Sequence, residues 1–283
     1  MGGLVRIREF ENLVKSEKKA RCYFKRLCEK KGHLFCANCG RADPYRLASG
    51  RYRCRRCKSD FNLFSGRWLS EVRLPPTQWL WMVKLFVLEV STNTAANELG
   101  ISYPTALRAM DAIRQAILEN DSVPKELEGE VEADESYFGG RRKGKRGRGA
   151  AGKVPVFGII ERKGRVWVQP VKDVTAETLL DLTVRKVRRG SLVYTDKYKS
   201  YDSLMFYGYS HLKINHSKHF VRKKVYINGI EGFWSYAKQR LMKFHWVDPH
   251  KFPMYLKEQE FRYNNRDKDI FQLVVKYLAM MKN

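Results

Sequence analysis

At 283 residues, with 43% hydrophobic and 13% aromatic content, the chain can hold two or three packed domains, which excludes global disorder. Lys and Arg number 55 against 30 Asp and Glu, a formal net charge of +25, and so basic a surface favours a polyanionic partner, because each cation placed on a phosphate releases counterions. The most apolar stretch, 78–90, carries Lys84 and Glu89 and falls short of the ~20 residues of a membrane span, and the charged start lacks the apolar run of an export signal, so no membrane association and a cytoplasmic, nucleoid-associated location are expected.

Composition divides the chain into an N-terminal segment (1–70), a helical segment (71–125) and a strand-and-helix segment (126–283). In the first, Cys36-x-x-Cys39 is followed after fourteen residues by Cys54-x-x-Cys57. Two such knuckles wrap four thiolates tetrahedrally around one Zn²⁺, and four sulfurs leave no open position, so the ion is expected to be structural. Phe35, Tyr52 and Phe61 flank the pairs as in a small β-ribbon, and Arg51, Arg53, Arg55 and Arg56 give the ribbon a basic edge. Cys22 and Cys28 lack a comparable partner pair and read as core thiols.

The second segment contains two helical runs, 92–99 and 102–117, separated by Gly100-Ile101. Ala95 and Ala96 permit a close helix crossing, Gly100 suits the turn, Ser102 is an N-cap and Pro104 sits in the first turn. Leu99, Ile101, Leu107, Met110 and Ile113 or Ile117 would form a shared core, and Tyr103, Thr105 and Arg108 would face outward. This is the pattern of a helix-turn-helix, whose second helix enters the major groove of DNA; a plain helical hairpin is the alternative.

The third segment opens with a strand over 129–138, then strands over 154–160 and 166–171 joined by a turn, a helix over 176–187 and a short strand 192–195 ending at Asp196. A further strand over 209–214 and helices over 228–241, 252–263 and 270–281 follow, the last with Asp269 placed to cap it. That element order is the order of a ribonuclease-H-like domain, so the fold class expected is α/β, a ribonuclease-H-like domain preceded by a zinc ribbon and a helix-turn-helix domain.

Three acids stand out within it. Asp134 lies inside the first strand, Asp196 ends the short apolar strand, and Glu231 sits beside the apolar stripe of a helix. Carboxylates brought together repel one another unless a hard cation neutralises them, and two Mg²⁺ or Mn²⁺ ions so held suit in-line phosphoryl transfer. Lys238, two helical turns after Glu231, is placed to grip a phosphate, and Asn228 or Glu132 is placed to assist the acids.

Joint motifs sharpen this picture. Val131 to Gly140 (VEADESYFGG), Tyr194-Thr195-Asp196, His216-Ser217-Lys218-His219-Phe220, Asn228 to Lys238 (NGIEGFWSYAK) and Phe261 to Arg266 (FRYNNR) resemble, in order, the motifs of a bacterial insertion-sequence transposase family. It is the ISXO2-like group of acidic-triad (DDE) enzymes with an N-terminal zinc ribbon, similar to the eukaryotic Merlin elements. The resemblance implies metal-dependent cleavage at the inverted repeats that end a mobile element, and transfer of the 3′-OH strands into target DNA. It makes Asp134, Asp196 and Glu231 cation ligands and Lys238 an auxiliary DNA contact. Transposases of this chemistry act on paired ends, so a homodimer or larger assembly on double-stranded DNA is expected. The basic run Arg141, Arg142, Lys143, Lys145, Arg146 and Arg148 is too Gly-rich for a fixed fold and is expected to order on DNA; His216 and His219 read as phosphate contacts or partners of the acids. A non-catalytic DNA-binding regulator and a structure-selective nuclease remain the alternatives.

Overall fold

The computed structural model describes residues 7–121, 126–139, 153–162, 164–196, 204–214, 227–244 and 247–282. The chain is mixed α/β and divides into two compact units, Met1–Asn120 with Asn265–Asn283, and Asp121–Asn264. No helix among the described residues is long and apolar enough to cross a membrane.

The first unit begins with two helices that the sequence reading left unassigned, α1 (Ile7–Val14) and α2 (Glu17–Cys28). Ser16 caps α2 by accepting a hydrogen bond from the Lys19 amide, and Ala20, Phe24 and Cys28, four apart, form its buried stripe. Cys28 is thus a core thiol, but Cys22 lies off that stripe and is exposed, against expectation. Strands β1 (Tyr45–Arg46), β2 (Tyr52–Arg53) and β3 (Asp60–Phe61) form a small antiparallel ribbon in which Tyr52 and Phe61 stack.

Helices α3 (Pro76–Val87), α4 (Thr92–Leu99) and α5 (Tyr103–Asn120) pack on one another. Gly100 takes the left-handed conformation (φ 62°) that ends α4, and Ser102 accepts from the Thr105 amide at the start of α5. Ala95, Ala96, Met110, Ile113 and Ile117 are buried as expected, while Leu99, Ile101 and Leu107 are only half-buried. On α5 the small residues Ala106, Ala109, Ala112 and Ala116 are buried as well. Helix α9 (Ile270–Ala279) closes this unit, packing on α3 and α5 through Phe271, Val274, Val275 and Leu278. Buried Arg67 donates to the carbonyls of Ala279 and Cys28 and so ties the ends of α9 and α2 together.

The second unit is built on a five-stranded mixed sheet, in the order β6-β5-β4-β7-β8. Strands β4 (Glu130–Phe138), β5 (Val154–Glu161) and β6 (Val166–Pro170) are antiparallel; β7 (Leu192–Asp196) and β8 (Ser210–Ile214) run parallel to β4. Alternation along β4 sends Val131 and Ala133 to one core, which α6 (Ala176–Lys186) covers with Leu179, and Phe138 to another. This second core is covered by α7 (Asn228–Met242), through Ile230, Phe233, Trp234 and Ala237, and by α8 (Phe252–Asn264), through Phe252 and Leu256.

Strand β6 lies at the sheet's edge, and α8 caps it with side chains. Asn264 both accepts from the Val166 amide and donates to its carbonyl (2.8 Å each), and Glu260 Oε2 accepts from the Val168 amide (2.7 Å). These are groups that another strand would otherwise pair with. Glu260 is buried, which raises its pKa against the opposing charge of Lys257.

Candidate functional site

Among the described residues, two places bring ligand-type side chains into view. The first is the ribbon. Each knuckle folds the same way: the Cys36 amide donates to the Arg41 carbonyl and the Cys54 amide to the Ser59 carbonyl, while the amides of Gly40 and Lys58 turn back to the carbonyls of Cys36 and Cys54. Gly40 (φ 67°) and Lys58 (φ 58°) both adopt the left-handed conformation that such a turn requires. The four sulfurs lie within 4.8 Å of one another, with Cys36–Cys57 and Cys39–Cys54 at 3.6 Å. A tetrahedron of thiolates about an ion at ~2.3 Å has edges of about 3.8 Å, so this set could hold one metal ion. Hydrogen bonding with the Ser59 side chain and backbone lowers the Cys57 thiol to about 5. Against a backbone hydrogen bond from Arg41, desolvation and the neighbouring thiols that share protons with it raise Cys39 to about 11, so the cluster titrates as one set.

The second place is the face of the sheet beneath α7. Ala133 pairs with Thr195, so Asp134 and Asp196 are the next residues along on adjacent parallel strands. Asp196 alternates with Tyr194, which packs in the α7 core, so both acids belong to the face that α7 covers. The Trp234 indole N–H donates to Asp134 Oδ2 at 3.0 Å, across one hundred positions of sequence. It can approach because Asp134 pairs with Gly158 on β5, where any side chain would meet the indole ring. Glu231 lies in the first turn of the same helix, one residue after buried Ile230, and is itself exposed.

Electrostatics link these groups. Burial first, then the carboxylates of Glu135 and Glu231, push the Asp134 carboxyl up to about 6, against the hydrogen bonds from Trp234 and from the Glu135 backbone. Asp134 and Glu231 are therefore within electrostatic reach, and a cation would relieve the repulsion. Lys238 lies along α7 with its ammonium 5.6 Å from the Phe138 ring centre. Desolvation lowers its pKa, which Asp134 opposes and Lys153 reinforces. Asp134 and Asp196 share the sheet face that α7 covers, and α7 bears Glu231; among the described residues the cysteines are the one group of three or more such ligands gathered within 4.8 Å.

The remaining residues read from sequence fall elsewhere. Arg108 is exposed on α5. Arg141, Arg142, Lys143, Lys145, Arg146, Arg148, His216 and His219 lie outside the described residues. Trp234, Gly158 and Arg162 were not singled out from sequence, because their roles arise from contacts across the sheet that no local spacing encodes.

Comparison with known proteins adds a second line of observation. Residues 126–264 match the model of the ISXO2-like transposase domain. An uncharacterized transposase-like protein of Haemophilus influenzae is 45% identical over 105 residues, covering 37% of this chain and 85% of that protein. Among solved structures, a chain from the cryo-EM structure of a simian T-cell lymphotropic virus intasome in complex with the PP2A regulatory subunit B56 gamma is similar at a TM-score of 0.34 and 11% identity, covering 69% of this chain and 74% of that one. A likeness that loose carries no weight on the fold.

Proposed function

Since the chain belongs to the ISXO2-like transposase family, we propose that it binds the terminal inverted repeats of a mobile element, cleaves there and transfers the 3′-OH strands into target DNA. The observation that carries this reading is the placement of Asp134 and Asp196 side by side on parallel strands, beneath the helix that bears Glu231. Three antiparallel strands followed by two parallel ones, in the order β6-β5-β4-β7-β8, support a ribonuclease-H-like fold for this unit.

Asp134, Asp196 and Glu231 would hold a pair of Mg²⁺ or Mn²⁺ ions. When bound, such ions supply activation of a water or 3′-hydroxyl and neutralise charge on the leaving oxygen. The oxygen-only donor set suits these hard cations, and the raised Asp134 carboxyl marks a site short of positive charge. Trp234 orients the Asp134 carboxylate, and Lys238 is placed to hold a backbone phosphate beside it.

The four cysteines would hold one structural Zn²⁺, keeping the ribbon folded. Helices α4 and α5 form the helix-turn-helix, with Arg108 toward DNA, and the basic run 141–148 together with His216 and His219 adds phosphate contacts. The functional form is a homodimer or larger assembly on double-stranded DNA. A nuclease of the same fold would cut without joining. Incubation of a duplex carrying the element's labelled end with a second duplex and Mg²⁺ separates them: joined product supports transposition, while cut ends that never join refute strand transfer.

A further inference from the structure

Building on that transposase reading, we propose that Glu132 is a positioning residue that locks the helix of Glu231 onto the strand of Asp134, and is not itself a cation ligand. Glu132 shares a strand face with Asp134 but is only 1% exposed. Both of its oxygens are engaged. Oε1 accepts from Arg162 Nε at 3.2 Å, and Oε2 accepts from the Ile230 amide at 3.0 Å, in the first turn of α7. That amide is one of the helix's unpaired N-terminal donors, and a carboxylate there also meets the positive end of the helix dipole.

The close approach is built into the sequence. A Cβ on Gly229 would lie 2.9 Å from Glu132 Oε2, so the residue before Ile230 must be small for the carboxylate to reach the amide. Arg162 extends the network: Nη1 donates to Glu130 Oε2 at 2.9 Å, and its guanidinium stacks 3.7 Å from the centre of the Tyr194 ring. The Tyr194 hydroxyl donates to the same Glu130 oxygen at 2.8 Å. Each acid therefore lies within two positions of a network member: Asp134 two after Glu132, Asp196 two after Tyr194, Glu231 one after Ile230. Arg162 and its two carboxylate partners, with Tyr194 and the Ile230 amide, thus fix β4, β7 and α7 relative to one another.

The test compares Glu132→Gln, Glu132→Ala and Gly229→Ala in the full-length protein, reading the Mg²⁺ concentration for half-maximal cleavage of an element end, DNA affinity and the fraction folded. Glutamine still offers an oxygen to the Ile230 amide but turns its NH2 on the Arg162 donor and loses the ion pair, so it should fall between wild type and Glu132→Ala. Alanine at either position should raise the Mg²⁺ requirement about tenfold or more, as loss of an outer-shell partner does, with DNA affinity unchanged and rate recovering at high Mg²⁺. A merely structural role would lower the folded fraction without moving the Mg²⁺ requirement of the folded protein. That result in both alanine variants overturns the proposal. A Glu132→Gln protein as inactive as Asp134→Asn at every Mg²⁺ concentration also overturns it, because Glu132 would then be a ligand. A wild-type protein that cuts no element end in Mg²⁺ or Mn²⁺ overturns the transposase reading beneath it, which the variants alone cannot do.

Discussion

Gly158→Ala is a small change with a calculable consequence. The new Cβ would sit 2.5 Å from Cη2 and 2.7 Å from Cζ2 of Trp234, and 3.1 Å from Cδ1 of Ile230. Carbon atoms pack at about 3.5–4.0 Å, so the indole must withdraw by roughly 1 Å. Its N–H then loses the 3.0 Å bond to Asp134 Oδ2. Overpacking costs about 1–3 kcal/mol and a lost hydrogen bond to a charged group about 1.5–3, while removing a strand glycine returns about 0.5–1, leaving a net loss of about 1.5–5.5 kcal/mol. Urea unfolding of wild type, Gly158→Ala, Trp234→Phe and the double variant measures it, with cleavage of an element end assayed on the same samples. Phenylalanine is smaller and donates no hydrogen bond, so in that background Gly158→Ala should cost far less, and cleavage should already be reduced. If Gly158→Ala costs the same with and without Trp234, the steric reasoning is wrong.

Other perturbations test separate parts of the molecule. Asp134→Asn should stabilise the divalent-free protein: a carboxyl raised from 3.8 to about 6 makes the folded state lose stability as pH rises between those values, by up to about 3 kcal/mol above pH 6. Denaturation at pH 4 and pH 8 should therefore show the variant's advantage only at the higher pH, and an equal or less stable variant at pH 8 contradicts it. Cys54→Ala should take bound zinc from one per chain to near zero by metal analysis and unfold the ribbon, whose strands are two residues each and supply little stability of their own; retention of tight stoichiometric zinc would reject the four-thiolate site. Asn264→Ala should cost about 1–3 kcal/mol by leaving the Val166 amide and carbonyl unpaired, and should speed hydrogen exchange at Val166; unchanged exchange would mean that the edge is protected by other means.

Local patterns were legible in the sequence, and long-range ones were not. The two Cys-x-x-Cys pairs, the strand around Asp134 and the apolar stripe of α7 follow from spacing alone, and the structure places strands and helices on those segments. Helix α2 went unassigned because its dense Lys and Arg content hid the four-residue spacing of Ala20, Phe24 and Cys28, and α1 because its eight residues bury Phe10 alone. The FRYNN segment was visible as a motif, but its Asn264 has an edge-capping role that depends on a strand 98 positions away. Helix α9 announced an apolar face without saying what it would cover; it packs on α3 and α5. The engagement of Glu132 by Ile230 and Arg162 likewise depends on contacts that no sequence window contains.

Anomalous diffraction from crystals of the protein bound to an element end and loaded with Mn²⁺ would address the acids directly. Manganese peaks bounded by the carboxylates of Asp134, Asp196 and Glu231, lost in Asp134→Asn, are the expected result. Manganese that sits elsewhere while those carboxylates stay apart around bound DNA would contradict a cation-dependent recombinase.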